Sequence, residues 1–234
     1  MSEAKPIVIL IGGGHCSGKK TCASDIADCL IRHSPEKLDV QIIDMKVYLM
    51  SKSAVQTSNN YIALPSRYDF GTLLKDLAHN DHAPDVVLVH GLYALYNKEL
   101  RDFSSMKIFV DSDPDTRLTR WIRRDVLQGA APLEDTLTQY LNFARPEMNE
   151  FIFPTKESAD VVLPRGPEEI GIRLIVDGVE PLLKKKHNVI GITREDLIAP
   201  PLPGINSLGV SGFRTIDFKG EDFDGQKERF YGLN

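Results

Sequence analysis

Ile7-Val-Ile-Leu-Ile-Gly-Gly-Gly-His-Cys-Ser-Gly-Lys-Lys-Thr21 decides the fold. A short run of mostly β-branched residues ends in glycines and an amphipathic segment follows, which is the order strand, tight loop, helix. Gly13, Gly18 and Lys19 occupy the first three fixed positions of the phosphate-loop pattern G-x-x-x-x-G-K-[S/T]. Glycine is needed there because the backbone must curl until its N–H groups face phosphate oxygens, an approach that a Cβ blocks. Lys19 adds a point charge for the outer phosphates, and the helix start adds its positive dipole end and free N–H groups. The expected nucleotide-binding residues are therefore Gly13, Gly14, His15, Cys16, Ser17, Gly18, Lys19, Lys20 and Thr21. The fourth fixed position departs from the pattern. Lys20 stands where a Ser or Thr hydroxyl binds Mg2+, and Thr21 comes one residue late. One residue along a helix is a rotation of about 100°, so Thr21 is no simple replacement. A glycine-rich strand-to-helix turn that binds nothing is the alternative.

The 234-residue length suits one large α/β domain, or a domain with a tail. Hydrophobic residues make up 42% and charged residues 26%, an ordinary balance for a globular chain. A net charge of −5 gives no bulk attraction to nucleic acid or to an anionic membrane, and no such partner is expected. A local cationic pocket is compatible with that total. The three cysteines, Cys16, Cys22 and Cys29, show no paired spacing, so neither a disulfide framework nor a zinc site is expected. Cys22, Ile26, Cys29 and Leu30 share one helical face and read as core, while Cys16 is a loop thiol. The N-terminus lacks a signal-peptide pattern and no apolar run reaches membrane-spanning length, so the expected location is cytoplasmic or nuclear.

Beyond the first helix, Val40-Gln-Ile-Ile-Asp44 reads as a strand ending in a carboxylate. Ligands sit at strand ends in open α/β sheets, so Asp44 is a candidate general base or metal-shell ligand, or else a cap for the following turn. Residues 51–66 read as a loop and 68–77 as a helix. Asp85-Val-Val-Leu-Val-His-Gly91 is a buried strand with His90 at its end, either structural or part of a site. Lys107–Asp111 is a further strand, followed by a helix carrying Arg117, Arg120, Arg123 and Arg124. Such a run is ordinarily a solvated face, but in a phosphoryl-transfer protein it can close over the transferring group. A helix over 134–151 is expected to break near Pro146, residues 159–164 form the last strand and 168–186 a closing helix. Alternating strands and helices predict a parallel sheet with helices on both faces. From about Gly191 the periodicity fades, and residues 191–234 read as a C-terminal extension.

Three segments stand in a fixed order. They are Met106-Lys-Ile-Phe-Val-Asp-Ser-Asp-Pro-Asp-Thr-Arg-Leu118, Leu137-Thr-Gln-Tyr-Leu-Asn-Phe-Ala-Arg-Pro146 and Glu150-Phe-Ile-Phe-Pro-Thr-Lys-Glu-Ser-Ala-Asp-Val-Val-Leu-Pro-Arg-Gly166. With Gly13–Lys19 and Val89-His-Gly-Leu-Tyr-Ala-Leu-Tyr96, they resemble the uridine/cytidine kinase family. A kinase for pantothenate or phosphoribulose would share the loop but explain the later segments less well. The resemblance implies an α/β P-loop NTPase fold over residues 1–190, with 191–234 appended. It also implies ATP and Mg2+ as cofactors and phosphoryl transfer to the 5′-hydroxyl of a pyrimidine nucleoside, as in salvage. Lys19, Asp44 and Arg124 would be catalytic, with Asp44 deprotonating the 5′-hydroxyl and Arg124 acting from a lid. Asp44 and Gln139 would contact the nucleoside. A homo-oligomer is left open.

The departures from the family pattern are specific. Lys20 replaces the Mg2+-binding hydroxyl, and His90 stands in place of a metal-shell Glu, so no metal ligand set is assigned. Ala63 replaces a ribose-binding Asp, Trp121 replaces a lid arginine, and Gln128-Gly-Ala130 lacks both arginines of another lid segment. The chain between Asp76 and Asp85 is too short for the family's hairpin over the base. A single arginine at such a site can carry about 10³-fold in rate. The alternative is therefore a catalytically inactive relative that acts by binding nucleotide or a protein.

Overall fold

The computed structural model describes residues 5–34, 37–50, 64–79 and 84–191. All fall in the first of two units of the chain, Met1–Thr193; the second, Arg194–Asn234, lies outside them, as does nearly all of the predicted extension. Five strands form one parallel sheet: β1 Ile7–Gly12, β2 Val40–Asp44, β3 Val86–His90, β4 Met106–Val110 and β5 Val161–Leu163, in the order β2-β3-β1-β4-β5. The helices are α1 Lys19–His33, α2 Phe70–Ala78, α3 Lys98–Phe103, α4 Pro114–Asp125, α5 Leu133–Gln139, α6 Arg145–Glu147 and α7 Glu169–Gly191.

β1 lies in the middle of the sheet and is buried along its whole length. Its alternate side chains enter opposite cores, as the two-residue period of a strand requires. Ile7, Ile9 and Ile11 pack with Cys22, Ile26, Cys29 and Leu30 of α1 and Ile175 and Val179 of α7. Val8 and Leu10 pack with Leu73 and Leu77 of α2, Leu100 of α3, and Met148 and Ile152. A strand buried on both faces reads as a continuous apolar run rather than an alternating one, which is why Ile7–Ile11 could be recognised. The predicted three-layer parallel α/β fold is thus the one observed, and Cys22 and Cys29 are core residues as expected.

Two local differences have physical causes. α2 begins at Phe70 rather than 68, because Asp69 Oδ1 accepts the Thr72 N–H at 2.9 Å and caps it there. Instead of a break near Pro146, the chain stays helical, with π turns at Tyr140–Ala144 and Met148–Ile152 on either side of α6. Pro146 lies within this continuous helical stretch, where it removes one helix hydrogen bond. The wide π turns absorb the change in register. Among the described residues, no helix is long and apolar enough to cross a membrane.

Candidate nucleotide site

The loop from β1 to α1 is built by backbone geometry. Gly13 has φ +139° and Gly18 φ +104°, values that L side chains rarely adopt, and the non-glycine Cys16 sits at φ +55°. A Cβ on Gly13 would strike the Val110 carbonyl of β4, and one on Gly14 would lie 2.5 Å from Arg117 Nη1 and 2.8 Å from Met148 Sδ. Gly18 immediately precedes α1 and leaves its first N–H groups open to the loop. Ser17 Oγ is buried with no hydrogen-bond partner among the described residues. A hydroxyl held in that state is costly unless an outside oxygen completes it. The backbone cradle and this hydroxyl together fit a polyphosphate.

A cavity of roughly 850 Å³ opens over the loop. It brings together most of the predicted site: His15, Cys16, Gly18, Lys19, Lys20 and Thr21 from the loop and helix start, with Asp44, Arg124 and Gln139 from elsewhere in the chain. Gly13, Gly14 and Ser17 are buried beneath it and shape the loop without lining the cavity. Ala63 and half of the shortened segment between Asp76 and Asp85 lie outside the described residues.

Lys19 Nζ donates to the Gly14 carbonyl at 2.6 Å, folded back on its own loop. Burial pushes its ammonium down to about 8; the nearby Cys16 and Asp44 oppose this, while Lys46 and Arg117 add to it. An anion entering the loop favours the charged form. Binding of a polyphosphate is therefore expected to weaken as pH rises through about 8, because it must then recharge Lys19. Calorimetric titration with ATP between pH 7 and 9 checks this, and Lys19→Arg is expected to flatten the profile. Burial also lifts the Cys16 thiol, although Arg124 and Lys19 pull it the other way. Cys16 is thus a resting thiol rather than an activated one.

Asp44 ends β2 directly across from His90 at the end of β3. Asp44 is the turn cap that one sequence alternative named, and it also lines the cavity. Its Oδ1 accepts the Lys46 N–H at 3.0 Å and caps the short 3-10 turn Met45–Tyr48. His90 is 6% exposed and also lines the cavity. Burial lowers its pKa; Asp44 opposes this, and Lys19, Lys20 and Lys46 push in the same direction as burial.

The arginines of α4 divide: Arg117 is buried, while Arg120, Arg123 and Arg124 are exposed. Arg117 Nε donates to the Ser112 carbonyl at 3.1 Å. Arg120 Nη1 reaches the Ser17 carbonyl at 3.2 Å and Ser112 Oγ at 3.1 Å, which clamps the phosphate loop from outside. Arg124 places Nη1 3.5 Å from Cys16 Sγ, pairs with Asp125 through Nη2 at 2.8 Å, and lies over the Trp121 ring.

Several contacts of the site carry no signal in the sequence. Trp121 is buried and stacks on His15 with ring centroids 5.0 Å apart, while its Nε1 donates to Asp125 Oδ2 at 2.7 Å. His15 Nε2 donates to Glu147 Oε2 at 2.9 Å, and the Tyr93 hydroxyl donates to the other oxygen of this buried carboxylate. Glu147 therefore ties the loop to the far core, a role that no local pattern signals. Lys46 and Arg165 line the cavity as well. Lys46 had one available signal, its place two residues after Asp44.

Mg2+ requires near-octahedral oxygen ligation and gives up water reluctantly. Of the three positions where the resemblance places its protein ligands, only Asp44 offers an oxygen. Lys20 is an ammonium, and His90 is an imidazole better suited to softer metals. Among the described residues, no three His, Cys, Asp or Glu side chains gather to hold a metal. The residues present do not fit the ion.

Comparison with known proteins adds the lineage. A sequence profile described as "Phosphoribulokinase / Uridine kinase family" matches residues 65–170. "Putative uridine kinase DAS2" of Saccharomyces cerevisiae is 29% identical over 247 residues, covering 99% of this chain and 97% of its own length. "Uridine-cytidine kinase B" of Dictyostelium discoideum is 31% identical over 209 residues, covering 78% of this chain and 85% of its own length. Among solved structures, the "putative fructose transport system kinase" from Silicibacter sp. TM1040 matches with TM-score 0.56 at 15% identity, over 70% of this chain and 92% of that one. At that identity the likeness is one of fold.

Proposed function

Because this chain belongs to the phosphoribulokinase and uridine kinase family, we propose that it is a nucleoside kinase that moves the γ-phosphoryl group of ATP to the 5′-hydroxyl of uridine or cytidine. One observation carries the proposal: the phosphate loop with Lys19 and the carboxylate of Asp44 face a single cavity from strand ends two places apart in the sheet. Residues 1–190 form the kinase-like domain. Backbone N–H groups of the loop and Lys19 hold the phosphates of ATP. Asp44 accepts the proton of the 5′-hydroxyl as its oxygen bonds to the γ-phosphorus, and the bond to the bridging oxygen breaks to release ADP. Arg124 meets the developing charge after exchanging Asp125 for the transferring group, and Gln139 contacts the nucleoside. Such transfers depend mainly on positioning and charge neutralisation.

Lys20 and His90 favour a second reading, a family member that binds nucleotide or a protein partner without turnover. Incubation of the full chain with γ-labelled ATP, Mg2+ and uridine or cytidine separates the two, beside a Lys19→Ala control. Label in UMP or CMP that disappears in the control is the expected result. Absence of label from a folded protein that binds ATP would sink the kinase assignment and leave the second reading.

A further inference from the structure

The cavity is strongly cationic in a chain of net negative charge. Lys19, Lys20, Lys46, Arg120, Arg124 and Arg165 line it, against the carboxylates of Asp44 and Asp125. One of those carboxylates is already paired, with Arg124. The surplus is concentrated where the metal ligands of a phosphate-loop kinase are missing. Lys20 is exposed in the first turn of α1 and makes no hydrogen bond or ion pair among the described residues. Its charge, with those of Lys19 and Lys46, still reaches the buried His90 ring. Lys19, Lys20 and Lys46 line the same cavity as Asp44 and His90, where a divalent cation would have to sit. A cation brought there meets repulsion from all three, with Asp44 as a carboxylate in the same cavity. A polyphosphate brought there without its metal meets the opposite: the unpaired Lys20 ammonium, the Lys19 ammonium and the loop N–H groups.

We propose that this site binds its nucleoside triphosphate as the metal-free anion, with the Lys20 ammonium taking over the charge neutralisation that a bound divalent cation supplies elsewhere. The inference rests on the nucleotide-binding reading above and refines it by naming the ionic form of the ligand. Lys20 lies next to Lys19 in sequence but points from a different angle of the helix, so the two ammonium groups can address different phosphates.

Calorimetric titration of the full chain with ATP, once in EDTA and once in excess Mg2+, tests this without relying on turnover. The expected result is equal or tighter binding in EDTA. Lys20→Ser is expected to weaken binding of metal-free ATP about tenfold, the scale of one charge-assisted contact. Lys20→Ser combined with His90→Glu, which restores oxygen ligands, is expected to bind more tightly with Mg2+ than without. Because Lys20 is exposed, its single substitution reports even where the double variant fails to fold. Threefold or greater tightening of the unaltered protein by Mg2+ overturns the inference and leaves the nucleotide-binding reading standing. Unchanged metal-free binding in Lys20→Ser overturns the role given to that residue. No ATP binding in either buffer overturns both the inference and the reading beneath it.

Discussion

Asp44→Asn is expected to lower phosphoryl transfer by about 10²- to 10⁴-fold, the contribution of a positioned general base, with ATP affinity changed no more than about twofold. The substitution is clean because of what Asp44 does structurally. Its Oδ1 accepts the Lys46 N–H and caps the Met45–Tyr48 turn, and the carbonyl of an asparagine accepts the same bond. Only the proton-accepting charge is removed. Asp44→Ala loses the cap as well and is expected to cost an additional ~1 kcal/mol of stability. Initial rates with uridine or cytidine, alongside urea unfolding of both variants, separate the two effects. Equal rates in Asp44→Asn and the unaltered protein would remove Asp44 from the chemistry and reduce it to a cap.

Gly13→Ala is expected to be the most damaging single change to the loop. Its φ of +139° excludes an L side chain at low energy, and the added Cβ would run into the Val110 backbone carbonyl. Backbone strain and overpacking each cost about 1–3 kcal/mol, and a central strand leaves little room for either side to retreat. A loss on the order of 4 kcal/mol is expected in chemical denaturation, with ATP binding at least 100-fold weaker because the loop N–H groups no longer converge. A variant as stable as the original that still binds ATP would show that the cradle does not depend on this conformation.

Much of the molecule was legible in the chain because the decisive signals are local. The apolar run Ile7–Ile11 and the glycines after it announce a buried parallel strand and a phosphate loop. The spacing of Cys22, Ile26, Cys29 and Leu30 announces the face of α1 that packs on the sheet. Asp44 could be singled out because it ends a strand, and strand ends line the crevice of such sheets. Pro146 misled because a proline has two local outcomes, a break or a helix that accommodates it. Here π turns on either side of it keep the chain helical.

The resemblance implied that His90 stands at a metal position, and the sequence alone determined the parallel α/β architecture, the phosphate loop, the candidacy of Lys19 and Asp44, and the substitution of Lys20. These follow from patterns within a few residues, where side-chain period and backbone sterics suffice. Only the tertiary structure decided that Arg117 is buried against the Ser112 carbonyl while Arg120 reaches the loop, that Trp121 stacks on His15, and that Glu147 joins His15 to Tyr93. It also decided that the cations share one cavity. A charged side chain carries no local mark of what it will face; its partner is set by how distant segments pack, and burial then fixes how strongly the charges are felt.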